Sequence, residues 1–289
     1  MTPVLQPKKI TKIGVVLRPS TPNLKSVFEQ IQALLKSYEI EVKLDSISAA
    51  MIGFRGVEFA TLTQWSDILL SIGGDGTLIS MIRRATGKNI ACMGINTGRL
   101  GFLTAIMPSE LQCFALNLKN GTYDIKNHMM LECTLLRDNK PYCTLYALNE
   151  FLISKQNLSG LIDIEAKIDN WNFNTYFCDA LIVGTPTGST AYNISAGGSV
   201  VYPYSKNILL TPVAPHSLTQ RPLVIDNSIK LEFSTKESAL LIIDGQENID
   251  IYPRDRILIQ ESKDCAYLIY PKERNYFQIL REKFKWGEL

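Results

Sequence analysis

Seven consecutive residues, Ser71-Ile72-Gly73-Gly74-Asp75-Gly76-Thr77, set three glycines and two hydroxyls around a single carboxylate. Glycine lets a backbone approach a bulky anion closely and adopt positive φ where a turn needs it. N–H groups of a loop that opens a helix point at such an anion. Gly73, Gly74, Gly76 and Thr77 are therefore candidate phosphate-binding residues. A carboxylate is a poor neighbour for phosphate unless it holds a metal or takes a proton, so Asp75 is the candidate for chemistry; a helix N-cap is the plainer role open to it. The stretch is not a Walker A loop, which needs Lys-Ser/Thr after its last glycine. It is not the dinucleotide fingerprint either, because Leu78 and Ile79 stand where a glycine should close it.

Three further stretches carry polar groups in unusual density. Asn96-Thr97-Gly98-Arg99-Leu100-Gly101-Phe102-Leu103 combines two glycines, an amide and a guanidinium. Asn149-Glu150 could grip vicinal sugar hydroxyls, the carboxylate accepting and the amide doing both. Asp179 opens a buried-type strand that runs into Thr185-Pro186-Thr187-Gly188-Ser189-Thr190-Ala191-Tyr192, followed by Ser195. Hydroxyls and amides there suit a base or an amide group, and Tyr192 offers a ring face. A serine-hydrolase elbow would need G-x-S-x-G, which Thr-Gly-Ser-Thr-Ala does not supply.

Taken together, these motifs resemble the NAD kinase family: Gly-Gly-Asp-Gly-Thr at 73–77, Asn-Thr-Gly-x-Leu-Gly-Phe-Leu at 96–103, Asn-Glu at 149–150, Asp179, Thr-Pro-Thr-Gly-Ser-Thr-Ala-Tyr at 185–192, Pro-x-Ala-Pro-His-Ser-Leu at 212–218 and Asp-Gly-Gln at 244–246. The first of these also occurs in lipid kinases and phosphofructokinases; the long 185–192 motif does not fit them. The resemblance implies transfer of a phosphoryl group from ATP or another donor to the adenosine-ribose 2′-hydroxyl of NAD, giving NADP, with a divalent metal (magnesium or manganese) accompanying ATP and a homodimer or homotetramer. It implies Asp75 as general base and substrate contact. It also implies a substrate site lined by Gly76, Phe102, Asn149, Glu150, Asp179, Thr190, Ala191, Tyr192, Ser195, Ala214 and Gln246, with no residue assigned as a metal ligand. Ala180 stands where a glycine is common and Gly184 where a serine is common; both are small, so they bear on fine shape. Competing readings are a lipid or sugar kinase sharing the glycine loop and a non-catalytic dinucleotide sensor.

The elements that must position these residues follow from periodicity. Lys12–Leu17, Glu41–Ile47, Ile68–Ile72 and Ile90–Ile95 read as strands. Helices are expected from an Asn23 cap to about Tyr38, with Val27, Ile31, Leu34 and Leu35 on one face, from Leu78 to about Arg84, and from Pro108 to Leu118. This alternation predicts an α/β domain with a parallel-type sheet over residues 1–123, its ligands at the strands' carboxyl ends. From 124 to 271 the pattern turns to short strands: Leu131–Leu136 and Tyr142–Leu148 as a hairpin about Asp138–Pro141, Leu161–Ile168 with a turn at Asp169-Asn170, then Val200–Tyr204, Ile208–Thr211, Leu223–Ile225, Ile229–Phe233, Leu240–Ile243, Ile257–Ile259 and Ala266–Ile269. This predicts a mostly β, sandwich-like, dinucleotide-binding domain. Residues 272–289 read as a terminal helix, with Phe277, Leu280 and Phe284 on one face, packing back on the first domain.

Composition bounds the class. The chain has 289 residues, 46% hydrophobic and 20% charged, with 30 basic against 28 acidic residues. That balance gives no electrostatic footprint for a nucleic acid. No apolar run reaches the ~18–20 residues of a membrane span and no signal-peptide core is visible. Six cysteines without a C-x-x-C pair read as buried free thiols of a reducing cytoplasm. Two histidines, His128 and His216, leave little room for a histidine metal site.

Overall fold

The computed structural model describes residues 5–98, 101–104, 106–156, 160–169 and 171–287. Arg99 and Leu100 of the second motif, and Asn170 of the predicted turn, lie outside the described residues. The chain divides into two compact units: residues to Asn127 together with those from Ala266 onward, and His128–Cys265.

The first unit alternates strand and helix: β1 (Lys12–Leu17), α1 (Leu24–Ser37), β2 (Glu41–Asp45), α2 (Ser46–Ile52), β3 (Gly56–Val57), α3 (Phe59–Trp65), β4 (Ile68–Gly73), α4 (Asp75–Arg84), β5 (Ala91–Asn96) and α5 (Leu111–Asn120). The strands pair in parallel in the order β5-β4-β1-β2-β3. Every residue of β4 and β5 is buried, as strands covered on both faces require. α1 buries Leu24, Phe28, Ile31 and Leu35, so its inner face is turned from the predicted one: Val27 and Leu34 lie at the margin and Phe28 points in. Asn23 makes no side-chain cap. The strand expected to reach Ile47 ends at Asp45, whose carboxylate accepts the Ser48 N–H and starts α2. The short helices α2 and α3 were not legible, each being only seven residues long. α5 follows a 3-10 turn at Pro108–Glu110 and ends on Gly121, in the left-handed region at φ 72°.

The second unit is built from β6 (Asp124–Arg137), β7 (Lys140–Ala147), β8 (Glu150–Lys155), β9 (Ile162–Ile168), β10 (Trp171–Cys178), β11 (Ala180–Gly184), the short α6 (Tyr192–Ser195), β12 (Asn207–Val213), β13 (Leu223–Asp226), β14 (Leu231–Thr235), β15 (Ala239–Ile243), β16 (Glu247–Ile251) and β17 (Arg256–Tyr270). One sheet runs β13-β12-β11-β8-β15-β16; the other contains β10, β9, β14 and β17, with β6 paired to β17 and β7. Alternate residues of both sheets, among them Leu131, Phe151, Ile164, Leu181, Leu210, Phe233, Leu241 and Ile257, share one buried core, which is the sandwich arrangement. β6 and β7 are joined by Asp138 and Asn139, both at positive φ (50° and 59°), as a two-residue type I′ hairpin turn demands.

Three expectations are corrected here. Val200–Tyr204 is not a strand; Tyr204 instead meets the His128 ring edge-on at 5.1 Å. The runs at Ile257–Ile259 and Ala266–Ile269 are one strand, β17, whose last residues from Ala266 onward belong to the first unit, where Tyr267 and Leu268 pair in parallel with β5. β10 (Trp-Asn-Phe-Asn-Thr-Tyr-Phe-Cys) and β16 went unread because they are half polar and lie at sheet edges; β8, central in its sheet, also went unread. The chain ends in α7 (Tyr276–Phe284), where Asn275 accepts the Phe277 N–H. Ile279 and Leu280 are its buried residues, while Phe277 is exposed. Among the described residues no helix is long and apolar enough to cross a membrane.

Candidate functional site

The glycine loop follows β4 directly. Gly74 is the N-cap of α4, so Asp75 is the first helical residue and does not cap. A side chain at Gly73 would collide with the Thr77 hydroxyl, which folds back over the turn, and would crowd Arg18 Cβ at 3.0 Å. The carbonyl of Gly73 accepts the Thr97 N–H at 2.9 Å, tying this loop to the second motif.

The Asp75 carboxylate spends its acceptor capacity on residues 102–104. Oδ1 accepts the Leu103 N–H (3.2 Å), the Thr104 N–H (2.8 Å) and the Thr104 hydroxyl (2.7 Å); among the described residues Oδ2 accepts only the Phe102 N–H (2.7 Å). Gly101 makes this approach possible, because a Cβ there would overlap Asp75 Oδ1 and Thr104 Oγ1. Phe102 packs against Phe284 of α7, with ring centroids 5.8 Å apart, and the Arg274 guanidinium donates to the Gly101 carbonyl at 3.3 Å. The first unit thus brings together Gly73, Gly74, Asp75, Gly76, Thr77 and Phe102.

In the second unit the Leu148–Glu150 turn is held from two sides. The Asp244 carboxylate accepts the N–H groups of Leu148 (3.1 Å), Asn149 (2.8 Å) and Glu150 (3.0 Å). The Asn149 carbonyl takes the Thr185 N–H (2.8 Å), and the Leu148 carbonyl takes the Thr185 hydroxyl (2.6 Å). Gly188 lies so close to the Asn149 backbone that no Cβ fits. With the turn's backbone engaged, the side chains of Asn149 and Glu150 are what it presents. Glu150 is buried, its Oε2 has no hydrogen-bond partner among the described residues, and burial followed by the Asp244 charge pushes its carboxyl up to about 8. In its protonated form it can donate as well as accept.

The 185–192 segment forms a 3-10 turn (Thr187–Thr190) running into α6. Thr187 is anchored on His128 Nδ1 at 2.8 Å, and burial pushes that imidazole down to about 3, so it stays neutral. Asn193 braces the turn from behind, donating to the carbonyls of Ser189 and Ser199 and accepting the Thr211 hydroxyl. Thr190 and Ala191 are half-buried, Ser195 is exposed, and Tyr192 is 42% exposed. Gln246 lies exposed two residues past Asp244 in the β15–β16 hairpin.

Asp179 and Ala214 are not brought to this cluster. Asp179 stands at the start of β11, and the hydroxyl-rich turn follows its end, a strand of five residues or roughly 16 Å away. Asp179 pairs with Lys155 at 2.5 Å and donates its N–H to Val213, beside Ala214. Ala214 is exposed and held at φ 46°, a conformation that costs a non-glycine residue energy. Sequence reading missed Lys155, Thr104 and the clamping role of Asp244. Only Asp244 left a trace, as a member of Asp-Gly-Gln. Among the described residues no three His, Cys, Asp or Glu side chains converge where a metal could sit.

Comparison with known proteins matches this geometry to one group. Residues 13–123 fit the model of the ATP-NAD kinase N-terminal domain and residues 148–270 that of the ATP-NAD kinase C-terminal domain. The NAD kinase of Helicobacter hepaticus is 58% identical over 292 residues, covering 96% of this chain and 97% of its own. That of Wolinella succinogenes is 50% identical over 288 residues, covering 99% of each. Among solved structures, an Archaeoglobus fulgidus NAD kinase in complex with ATP aligns at a TM-score of 0.76 with 27% identity, covering 95% of this chain and 99% of that one. Yeast NADH kinase complexed with NADH aligns at 0.89 with 24% identity, covering 98% and 89%, a likeness of fold alone. Both halves of the chain, and nearly its whole length at half or more identity, therefore point the same way: it belongs to the NAD kinase family.

Proposed function

We propose that the chain transfers the γ-phosphoryl group of ATP to the 2′-hydroxyl of the adenosine ribose of NAD, forming NADP. The observation that carries this reading is the carboxylate of Asp75 at the first position of α4, inside a turn where Gly73 admits no side chain, with a single donor on Oδ2. In the reaction the ribose oxygen forms a bond to the γ-phosphorus, the bond from that phosphorus to the β–γ bridging oxygen breaks, and the hydroxyl proton passes to Asp75. A ribose hydroxyl is a weak nucleophile, so a carboxylate within hydrogen-bond reach contributes; the remaining task is positioning and neutralising charge.

Gly73, Gly74, Gly76 and Thr77 hold the phosphates. In the second unit Asn149, Glu150, Thr190, Ala191, Tyr192, Ser195 and Gln246 line one part of the dinucleotide, and Asp179 and Ala214, at the other end of β11, contact a part of it about a strand's length away; Phe102 of the first unit is a further substrate contact. Magnesium or manganese would supply charge neutralisation on the triphosphate, a mode that needs few protein ligands; the described residues offer no protein cage for it.

The chain works as a homodimer or homotetramer in the cytoplasm. Supporting the first is the edge strand β10, which exposes Trp171 (80%), Phe173 and Phe177, the kind of edge that a soluble protein otherwise covers. Supporting the second are six free cysteines. Three of them are not buried: Cys113 is exposed, and Cys143 and Cys265 are half-buried. The test is direct: purified protein with ATP, magnesium and NAD or NADH should yield NADP or NADPH. Dinucleotide binding without product from ATP, other triphosphates or polyphosphate would leave a sensor instead.

A further inference from the structure

We infer that Thr104 and Asn96 are positioning residues that anchor Oδ1 of Asp75, so that Oδ2 is the oxygen offered to the reacting hydroxyl. The inference rests on the reading of Asp75 as the base. A carboxylate has about four acceptor positions, two on each oxygen. Among the described residues Oδ1 carries three donors and is full, while Oδ2 carries one and keeps a position open.

The proton directions in this network are fixed by chemistry. Thr104 is wholly buried; its hydroxyl donates to the carboxylate, which when ionised can only accept, and accepts from the Asn96 amide Nδ2 at 2.8 Å. Asn96 is itself 2% exposed. Its amide oxygen accepts the Gly98 N–H at 2.8 Å, and its own N–H bonds the Ile106 carbonyl. The amide therefore has one orientation, and the relay Asn96 Nδ2 to Thr104 Oγ1 to Asp75 Oδ1 runs one way, from the end of β5 to the start of α4. Two glycines make room for it. A Cβ at Gly94 would lie 2.6 Å from Thr104 Cγ2, and one at Gly101 would overlap Thr104 Oγ1 and Asp75 Oδ1. Burying a threonine hydroxyl is costly unless its donor and acceptor sides are used; here both are, and the charge they serve is the reacting one.

The test compares Thr104→Val, Thr104→Ser and Asp75→Asn by steady-state kinetics with ATP and NAD, alongside thermal unfolding. Valine keeps the shape and removes the hydroxyl. Thr104→Val should lower kcat by about tenfold to hundredfold, the size of one hydrogen bond to a charged group, with KM for NAD and ATP within about twofold. Thr104→Ser should restore most of kcat, which a purely packing role for the methyl would not allow. A folded Thr104→Val enzyme with wild-type kcat, beside an inactive Asp75→Asn, overturns the positioning role and leaves Asp75 as base. An active Asp75→Asn overturns the base reading itself. If Thr104→Val does not fold, Thr104→Cys keeps the volume with a weaker donor, and a kcat equal to that of Thr104→Ser overturns the proposal.

Discussion

Asp75 and Asp244 solve the same local problem in different units. Each is a turn carboxylate accepting N–H groups from three consecutive residues of a separate stretch, 102–104 for Asp75 and 148–150 for Asp244. They differ in what surrounds them. Asp75 is partly exposed and begins a helix. Asp244 is 8% exposed, sits at φ 49°, and has the buried carboxyl of Glu150 as a neighbour. A carboxylate clamp at the rim of a glycine turn can still react; the same clamp in the interior can only hold, and its charge is felt by the next titratable group. Burial, rather than residue type, separates the two roles.

The largest effect should fall on Asp75. Asp75→Asn is nearly isosteric, yet kcat should drop by about 10²–10⁴-fold, the usual worth of general-base assistance, with folding intact by circular dichroism. Rescue by excess magnesium or manganese would instead mark Asp75 as a metal contact. Asp244→Ala should act in the opposite way. It strips the acceptor from three N–H groups, each costing about 1–3 kcal/mol when buried and unpaired, so urea unfolding should show a loss of about 3 kcal/mol or more, with a raised KM for NAD. A stable Asp244→Ala protein with unchanged KM would dissolve the comparison.

The Asp75 half of this contrast could be read from residues alone, the Asp244 half could not, and the reasons are physical. The glycine loop is legible because Gly73 and Gly101 are forced by close approach, which leaves glycine as a visible mark. The parallel sheet is legible because β4 and β5 are buried on both faces and so are continuously apolar. The short helix α2 and the strand β10 were missed because tertiary contacts, not local pattern, define them: Asp45 ends β2 by capping, and β10 is held by pairing with β9. Thr104 and Lys155 left no mark, since a hydroxyl or an amine in a strand or loop looks ordinary until its partner, Asp75 or Asp179, is placed beside it.

A smaller effect tests binding without chemistry in the second unit. Tyr192 is exposed at the start of α6, beside a turn stitched to Asn149 by Thr185 and Gly188. Tyr192→Ala should raise KM for NAD by roughly tenfold, in keeping with one lost aromatic contact, and leave kcat near wild type, the mark of lost uniform binding. A fall in kcat at unchanged KM would move Tyr192 into the chemical step and blur the division between units.

The smallest effect at neutral pH, and the sharpest on the comparison, concerns Glu150. Its carboxyl rises from an ordinary value near 4.5 to about 8, first through burial and then through the Asp244 charge. In the unfolded chain it ionises near 4.5, so between there and about pH 8 the folded protein binds the extra proton. Stability from this group is then fully present below pH 4.5, declines as pH rises towards 8, and is constant above it. Glu150→Gln mimics the neutral form and lacks this slope. Melting temperatures of wild type and Glu150→Gln should therefore converge towards acid and part between pH 5 and 8, with wild type falling, while KM for NAD at pH 7 changes little. Asp244→Asn should narrow the gap by removing the charge that adds to the shift. Parallel curves across that range would mean that Glu150 ionises normally and that Asp244 clamps backbone without influencing its neighbour, leaving Asp75 and Asp244 distinguished by exposure alone.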